Sequence, residues 1–321
     1  MDILTIGSCT MDNYLKLPSQ QGISSIAQNE PKLCFYHGSK IAVEKFASNP
    51  GGNALNVAIG TSKMGLKSKI YTEMGKDDFT DDIVRLLKKN KVDTKLCIKN
   101  KDKHNNIGTI VVYQADRTIF SYHENFEYKA KEWGKPKMIY YTSMPRGNQT
   151  FQKILVNYLN QNKHTILSVN PGSSQIKEGI ENLVDILFLT DILFVNKQEA
   201  AFLTKTDLTK NDSVEYLHKK LQKIGPKLTV ITDGKNGASA SNMGKVVYIK
   251  AFSDDKPIED MTGAGDAFSS GFLSAIFHKK PLKEALLWGA INSASVIKEI
   301  GSTNGLLDKK TIEAIVASIK S

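Results

Sequence analysis

The stretch Asp260-Met261-Thr262-Gly263-Ala264-Gly265-Asp266-Ala267-Phe268 limits what this chain can become more than any other. A polar turn with two glycines runs straight into an apolar pattern. Phe268, Phe272, Ala275 and Ile276 recur at helical spacing, which predicts a helix starting near Gly263. Gly263 and Gly265 carry no side chain, so a ligand can come close to the backbone there. The leading amides of a helix have no partner inside it, and its dipole adds partial positive charge. Gly263, Ala264 and Gly265 therefore form an anion site suited to phosphate. Asp266 follows at the same end. An anion hole beside a carboxylate suits phosphoryl transfer to a hydroxyl, because one holds the moving group while the other takes the proton. A plain glycine turn, with an Asp that only complements the helix dipole, would use the same residues.

Spacing removes two other phosphate motifs. A dinucleotide fingerprint needs a third glycine where Phe268 stands, and a Walker A loop needs a lysine after its last glycine, which Gly265 lacks. Composition narrows the class further. The net charge is +10, yet only Arg85, Arg117 and Arg146 are arginine among 43 basic residues. Base readout leans on arginine's bidentate fork, so a solvated lysine surface is expected and no nucleic-acid partner. The surplus charge would still attract anionic substrates. Met1-Asp2 and the short apolar run behind it do not read as a secretory signal. The most apolar segment, Ile186 to Val195, is broken by Thr190 and Asp191, so no membrane span is expected. Cys9, Cys34 and Cys97 stand alone without metal spacing, which fits a reduced cytoplasm.

Along the chain, Ile3 to Ser8 reads as a buried strand ending in a small-residue turn. Asp12 then projects near the carboxyl end of that strand, the edge where open α/β sheets bind ligands. A local turn bond is the other use for such a residue. Residues 18 to 31 read as a loop, and Lys32 to Ala47 as a hairpin turning at Gly38-Ser39. Gly51-Gly52 opens a helix in which Asn53 and Asn56 lie three apart and face one way. Two amides suit a polyol, whose hydroxyls need both donors and acceptors; Asn53 could equally cap the helix. Ser68 to Met74 is a strand, Asp81 to Asn90 a helix, and Ile107 to Tyr113 with Thr118 to Tyr122 a second hairpin around Ala115-Asp116-Arg117. From Met138 the pattern alternates. Strands at Met138–Thr142, His164–Asn170, Leu193–Asn196 and Leu228–Thr232 are spaced with helices such as Thr150–Gln161, which indicates a parallel sheet with helices on its faces.

Two segments together carry a family resemblance. The nonamer at Asp260 closely resembles the second signature of the ribokinase-like (PfkB) carbohydrate kinases, with Met261 in place of the usual threonine. Gly51-Gly52-Asn53-Ala54-Leu55-Asn56-Val57-Ala58 resembles the first, in the correct order and about 210 residues earlier. The resemblance implies a three-layer α/β/α sandwich with a mostly parallel central sheet and a small β-sheet lid, all within a single domain spanning 1–321. The lid would be built from about 12–17, 32–47 and 107–122 and would keep water from competing as the acceptor. The implied reaction moves the γ-phosphate of Mg·ATP onto a sugar hydroxyl. Asp266 is then the base, with Asp12, Gly51, Gly52, Asn53 and Asn56 orienting the sugar. Asn196 and Glu199 resemble phosphate and Mg²⁺-water contacts, although a helix-capping box would use the same two residues. Thr232, Gly234 and Gly237 resemble a turn on which the nucleotide lies, and Asn292 a border of the adenine. Asp260 with the Gly301 loop resembles a monovalent-cation (K⁺) site.

Other acceptors keep the same base and anion hole. A nucleoside kinase would need aromatic walls, for which Phe35, Tyr36, Phe120 and Tyr122 in the expected lid are available. A phosphorylated sugar would need cations such as Lys40, Arg117 or Arg146. A sugar-binding regulator without catalysis is the alternative from another class, and it would have no use for the base. Exposed lid edges make a homodimer through the lid the expected assembly.

Overall fold

The computed structural model describes residues 1–18, 23–27, 30–114, 116–253 and 256–320. In chain order the first elements are β1 (Ile3–Ile6), β2 (Thr10–Lys16), β3 (Ile23–Ala27), β4 (Glu30–Cys34), β5 (Lys45–Gly51), α1 (Asn53–Lys63), β6 (Ser68–Gly75), α2 (Phe79–Lys89) and β7 (Asp93–Asn100). They are followed by β8 (Asn106–Tyr113), β9 (Asp116–Tyr122), β10 (Met138–Thr142), α3 (Gln149–Gln161), β11 (Ile166–Asn170), α4 (Ser173–Lys177) and α5 (Val184–Phe188). The last are β12 (Ile192–Asn196), α6 (Lys197–Leu203), α7 (Val214–Ile224), β13 (Leu228–Thr232), β14 (Ala238–Asn242), β15 (Lys245–Ile249), α8 (Ala264–Phe277), α9 (Leu282–Val296) and α10 (Lys309–Lys320).

The central strands are short apolar runs buried on both faces, and their period of two sorts alternate side chains into two cores. Leu4, Ile6, Ile139, Tyr141, Leu167, Val169, Leu193 and Val195 meet α3 to α7 on one face. Ile3, Met138, Tyr140, Ile192, Phe194 and Val230 meet α8, α9 and α10 on the other. The result is the expected three-layer sandwich around a sheet ordered β15-β14-β13-β12-β11-β10-β1-β6-β7. Pairing is parallel from β7 to β13 and antiparallel where β14 and β15 finish the edge. The chain leaves β1 toward β6 on one side and returns as β10 on the other, so the sheet changes direction beside β1. A crevice forms at the carboxyl ends of strands at such a switch. Ser8 closes its floor, with both its amide and its Oγ donating to the Ser143 carbonyl at 3.0 Å.

A second sheet, ordered β5-β2-β8-β9, brings Asp12 near enough for its charge to act on Asp266. It corresponds to the expected small sheet, with one change of membership. The hairpin expected over Lys32–Ala47 does not form: β4 pairs with β3, and β5 pairs antiparallel with β2. Strands over 23–27 and 30–34 also replace part of the loop expected over 18–31, while 19–22, 28 and 29, like the turn residue 115, lie outside the described residues. The turn at Gly38-Ser39 is real, since Ser39 N donates to Tyr36 O at 3.2 Å, but the strand that follows it, β5, pairs with β2 and not back onto β4. Phe35, Tyr36, Ile41 and Val43 around it are exposed. Loose alternation without a neighbour to pair with carries no register.

Helix α8 is apolar all round because it is packed all round. Glycine permits the close crossings. A Cβ on Gly271 would lie 2.7 Å from the Trp288 carbonyl of α9, and one on Gly60 of α1 would lie 2.3 Å from Ser270 Oγ. Gly271→Val should therefore cost about 1–3 kcal/mol as an overpacked core. A urea melt would show the loss, and a midpoint equal to wild type would mean that the crossing is looser than it looks.

Candidate active site

The crevice gathers residues from both sheets onto the first turn of α8. Gly263 is the N-cap, in the left-handed conformation at φ 80°, and a Cβ there would lie 2.7 Å from Ser302 Cβ. Any other residue would be strained and would collide, so the glycine is required by backbone and packing together. Gly265 differs, since a Cβ there would meet nothing within 4 Å. Its face of the turn is open, which is the access an anion needs.

Asp266 is buried and accepts a hydrogen bond on Oδ2 from Asn56 Nδ2 at 2.8 Å. Burial raises its pKa to about 6, the charge of Asp12 adds to the rise, and Asn56 and Asn53 oppose it. A carboxyl group poised near neutrality can both hold and release a proton at working pH. Asp12, on β2, is also buried and also raised to about 6, first by burial and further by Asp260, against a bond from Thr10 Oγ1 at 2.8 Å. Its carboxylate fits only because the flanking strands have no side chains beside it. A Cβ on Gly51 would lie 2.1 Å from Asp12 Oδ2, and one on Gly108 would lie 2.7 Å from Oδ1.

The two amides of α1 divide their work. Gly52, at φ 98°, is the N-cap, so Asn53 is the first helical residue, is half-buried and is not used as a cap. Asn56 is turned inward: it is 3% exposed, and its amide is held between Asp266 and Ser302 Oγ, which donates to Asn56 Oδ1 at 2.9 Å. Its expected grip on a sugar is thus replaced by a grip on the carboxylate. Sequence reading missed Ser302 in this role because a contact across 246 residues leaves no local pattern, and Gly108 because strand pairing sets it beside Asp12; Thr10, two residues from Asp12, was within local reach and was not singled out.

The expected nucleotide residues separate more sharply. Asn196 and Glu199 close a reciprocal capping box on α6. Asn196 N donates to Glu199 Oε2 at 2.9 Å, and Glu199 N donates to Asn196 Oδ1 at 2.8 Å. Burial still raises the Glu199 pKa. Thr232 ends β13, and Gly234 and Gly237 both take positive φ in the turn beyond it. Gly237 is fixed by packing, since a Cβ would lie 2.1 Å from the Ile249 carbonyl, whereas Gly234 faces open space. Asn292 is a correction. It is fully buried, donates to Ala267 O at 2.8 Å and Ser270 Oγ at 3.1 Å, and accepts from Leu307 N at 3.0 Å. Its amide ties α9 to α8 and has no surface to offer an adenine.

Asp260 is 2% exposed and accepts from Thr262 N, Thr262 Oγ1 and Gly301 N at 2.9, 2.7 and 3.4 Å. Among the described residues no three His, Cys, Asp or Glu side chains gather as a metal cluster. No helix among them is long and apolar enough to cross a membrane.

A family model described as "pfkB family carbohydrate kinase" matches residues 20–310. The chain belongs to that family. Its members transfer phosphate to alcohol groups, and this pfkB chain is a kinase of the same class. It is 23% identical over 296 residues to an ATP-dependent 6-phosphofructokinase of Thermoanaerobacterium thermosaccharolyticum, covering 87% of this chain and 88% of that one. It is 27% identical over 270 residues to a probable fructokinase of Arabidopsis thaliana, covering 75% and 80%. The solved nucleoside kinase of Methanocaldococcus jannaschii superposes with a TM-score of 0.78 at 19% identity, over 99% of each chain. Ribokinase of Thermotoga maritima superposes with 0.77 at 21% identity, over 98% of this chain and 99% of that one.

The raised acids have a sign that can be tested. A carboxyl whose folded pKa lies above its unfolded value favours folding when protonated, so stability is lost as pH rises from about 4 to about 6. Asp266→Asn removes the buried charge and should stabilise the fold at pH 7.5 by on the order of 1–3 kcal/mol. The gain should largely vanish at pH 4. Urea melts at both values check it, and an equal gain at both would show that charge burial is not its source.

Proposed function

We propose that this kinase transfers the γ-phosphate of ATP to a hydroxyl of a sugar, with Asp266 as the general base. The observation that carries this is the placement of a buried carboxyl, raised to about 6, at the first turn of α8 beside the open Gly265 face. The amides of Ala264, Gly265 and Asp266 hold the transferring group, and the base takes the acceptor proton. Asp12 grips the sugar from above, with Gly51, Gly52 and Asn53 at the crevice floor. The open turn at Gly234, after Thr232, is the nucleotide's resting place. Mg²⁺ arrives on the ATP phosphates, where it neutralises charge when bound. Glu199, a buried acid with a raised pKa, can hold one of its waters while Asn196 stays capped. Asp260 is a buried acid that accepts from Thr262 and from the Gly301 amide, and it suits K⁺ beside the Gly301 backbone.

Strand register bears on the acceptor. Asp12 pairs with Gly108, which pairs with Ser121, so Arg117, four residues from Ser121, shares Asp12's face of the sheet. Phe120 and Tyr122 lie on the opposite face and cannot wall this crevice for a nucleobase. Arg117 thus supports a second reading in which the sugar already carries a phosphate, as the name of the Thermoanaerobacterium relative also suggests. The opposite face leaves Phe46, Phe120 and Tyr122 at 60%, 63% and 49% exposure, which suits a second copy docking lid to lid in a cytoplasmic homodimer.

Asp266→Asn should lower kcat by roughly 10²–10⁴-fold and leave ATP affinity nearly intact, as expected for a lost base. A coupled assay over ribose, fructose, 2-keto-3-deoxygluconate, fructose phosphates, adenosine and cytidine finds the acceptor. Wild-type turnover by the variant rules the base out, and no turnover of any acceptor by wild type would favour a non-catalytic sugar-binding regulator. Arg117→Ala should raise KM for a phosphorylated sugar about ten-fold or more and leave a neutral sugar unchanged. Phe120→Glu should turn a dimer into a monomer by analytical ultracentrifugation; a wild-type monomer would refute the docking.

A further inference from the structure

We infer that Ser302 is a positioning residue for the base: its hydroxyl donates to the Asn56 carbonyl and so commits the Asn56 NH₂ group to the Asp266 carboxylate. The inference deepens the reading of Asp266 as the base and rests on it for its catalytic meaning, though not for its geometry. The links are Ser302 Oγ to Asn56 Oδ1 at 2.9 Å and Asn56 Nδ2 to Asp266 Oδ2 at 2.8 Å. Ser302 and Asn56 are 2% and 3% exposed, so bulk water cannot take over either partner's role.

The direction of the chain follows from donor chemistry. An ionised carboxylate only accepts, so the amide must turn its NH₂ toward Asp266. Its carbonyl then faces Ser302, and the serine hydroxyl has to donate. Each bond polarises the next, so the serine strengthens the amide's donation to the ionised form. When the carboxyl is protonated it no longer demands the NH₂ group, and the alignment loses its purpose. Ser302 therefore selects the ionised base.

The surroundings fix the serine where this can happen. It follows Gly301, which takes φ 104° and donates its amide to Asp260. It lies against Gly263, the N-cap of α8, and a Cβ on Gly51 would lie 3.2 Å from its Oγ. Three separate pieces of chain meet at this serine: the start of α1 at its hydroxyl, the start of α8 at its Cβ and backbone, and the loop after α9 that carries it. The titratable groups around Asp266 work the other way or are neutral. Asp12, from β2, opposes its ionisation, and Tyr140, from β10, is held neutral by burial and by the charge of Asp266 itself. Asn53 is the other side chain that favours the ionised form.

The test reads the carboxyl directly and then the rate. In protein labelled with ¹³C at aspartate Cγ, the Asp266 signal, assigned by its loss in Asp266→Asn, is titrated in wild type, Ser302→Ala and Ser302→Cys. The thiol nearly keeps the hydroxyl's size but donates weakly. Both variants should titrate higher by about half to one pH unit. The acid limb of kcat/KM should move with them, and the rates should converge on wild type at high pH. Placed on an Asn56→Ala background, Ser302→Ala should add no further shift, because the serine acts through the amide. An unmoved Asp266 titration, a uniform rate loss at every pH, or an equal shift without Asn56 each overturns the proposal. If Ser302→Ala fails to fold, the cysteine variant decides alone. If the signal moves as expected but no acceptor is turned over, the positioning stands and the kinase reading of the base falls.

Discussion

Burying a carboxylate is costly, and the architecture around Asp266 is largely a response to that cost. Left alone at the mouth of α8, the charge would neutralise by shifting its pKa far upward. The fold offers it a helix N-terminus, an amide from α1 and, behind that amide, a hydroxyl from the loop after α9. The bonds from Asn56 and Asn53 hold the rise to about 6. Gly263, Gly51, Gly52 and Gly60 are the places where backbones must come close enough for those donors to arrive. The glycines and the carboxylate are one requirement seen from two sides.

Much of this was legible in the sequence, for an identifiable reason. The two-period strands and the helix spacing after Gly263 are local patterns, and local physics writes them locally. The layers, the parallel sheet and the start of α8 follow from them, and the pfkB family match spans both glycine-rich segments. Asp12 was placed from its distance along the chain beyond β1, and the crevice lies where a change of strand direction puts it.

What escaped the sequence depends on partners far apart in the chain. Asn56 looked like a ligand for hydroxyl groups because nothing nearby revealed that Asp266 and Ser302 would take both ends of its amide. Asn292 looked like a pocket residue and is instead a clamp between two helices, its three bonds made 15 to 25 residues away. The segment over 32–47 alternates enough to suggest a hairpin, but alternation does not choose between neighbours, and β5 found β2. Asn196 and Glu199 show the reverse case. The capping geometry was readable from spacing alone, and it is the one the structure contains.

Two of the links between the second sheet and the body of the fold are very short. Only Gly7, Ser8 and Cys9 separate β1 from β2, and only Gly52 separates β5 from α1. Asp12 rides on one of the strands so tethered, three residues past the stub, while Asp266 belongs to the body. Swinging the small sheet outward about these stubs would draw the two acids apart. Letting the product go and relaxing the repulsion between them would then be a single mechanical event, powered in part by the charges themselves.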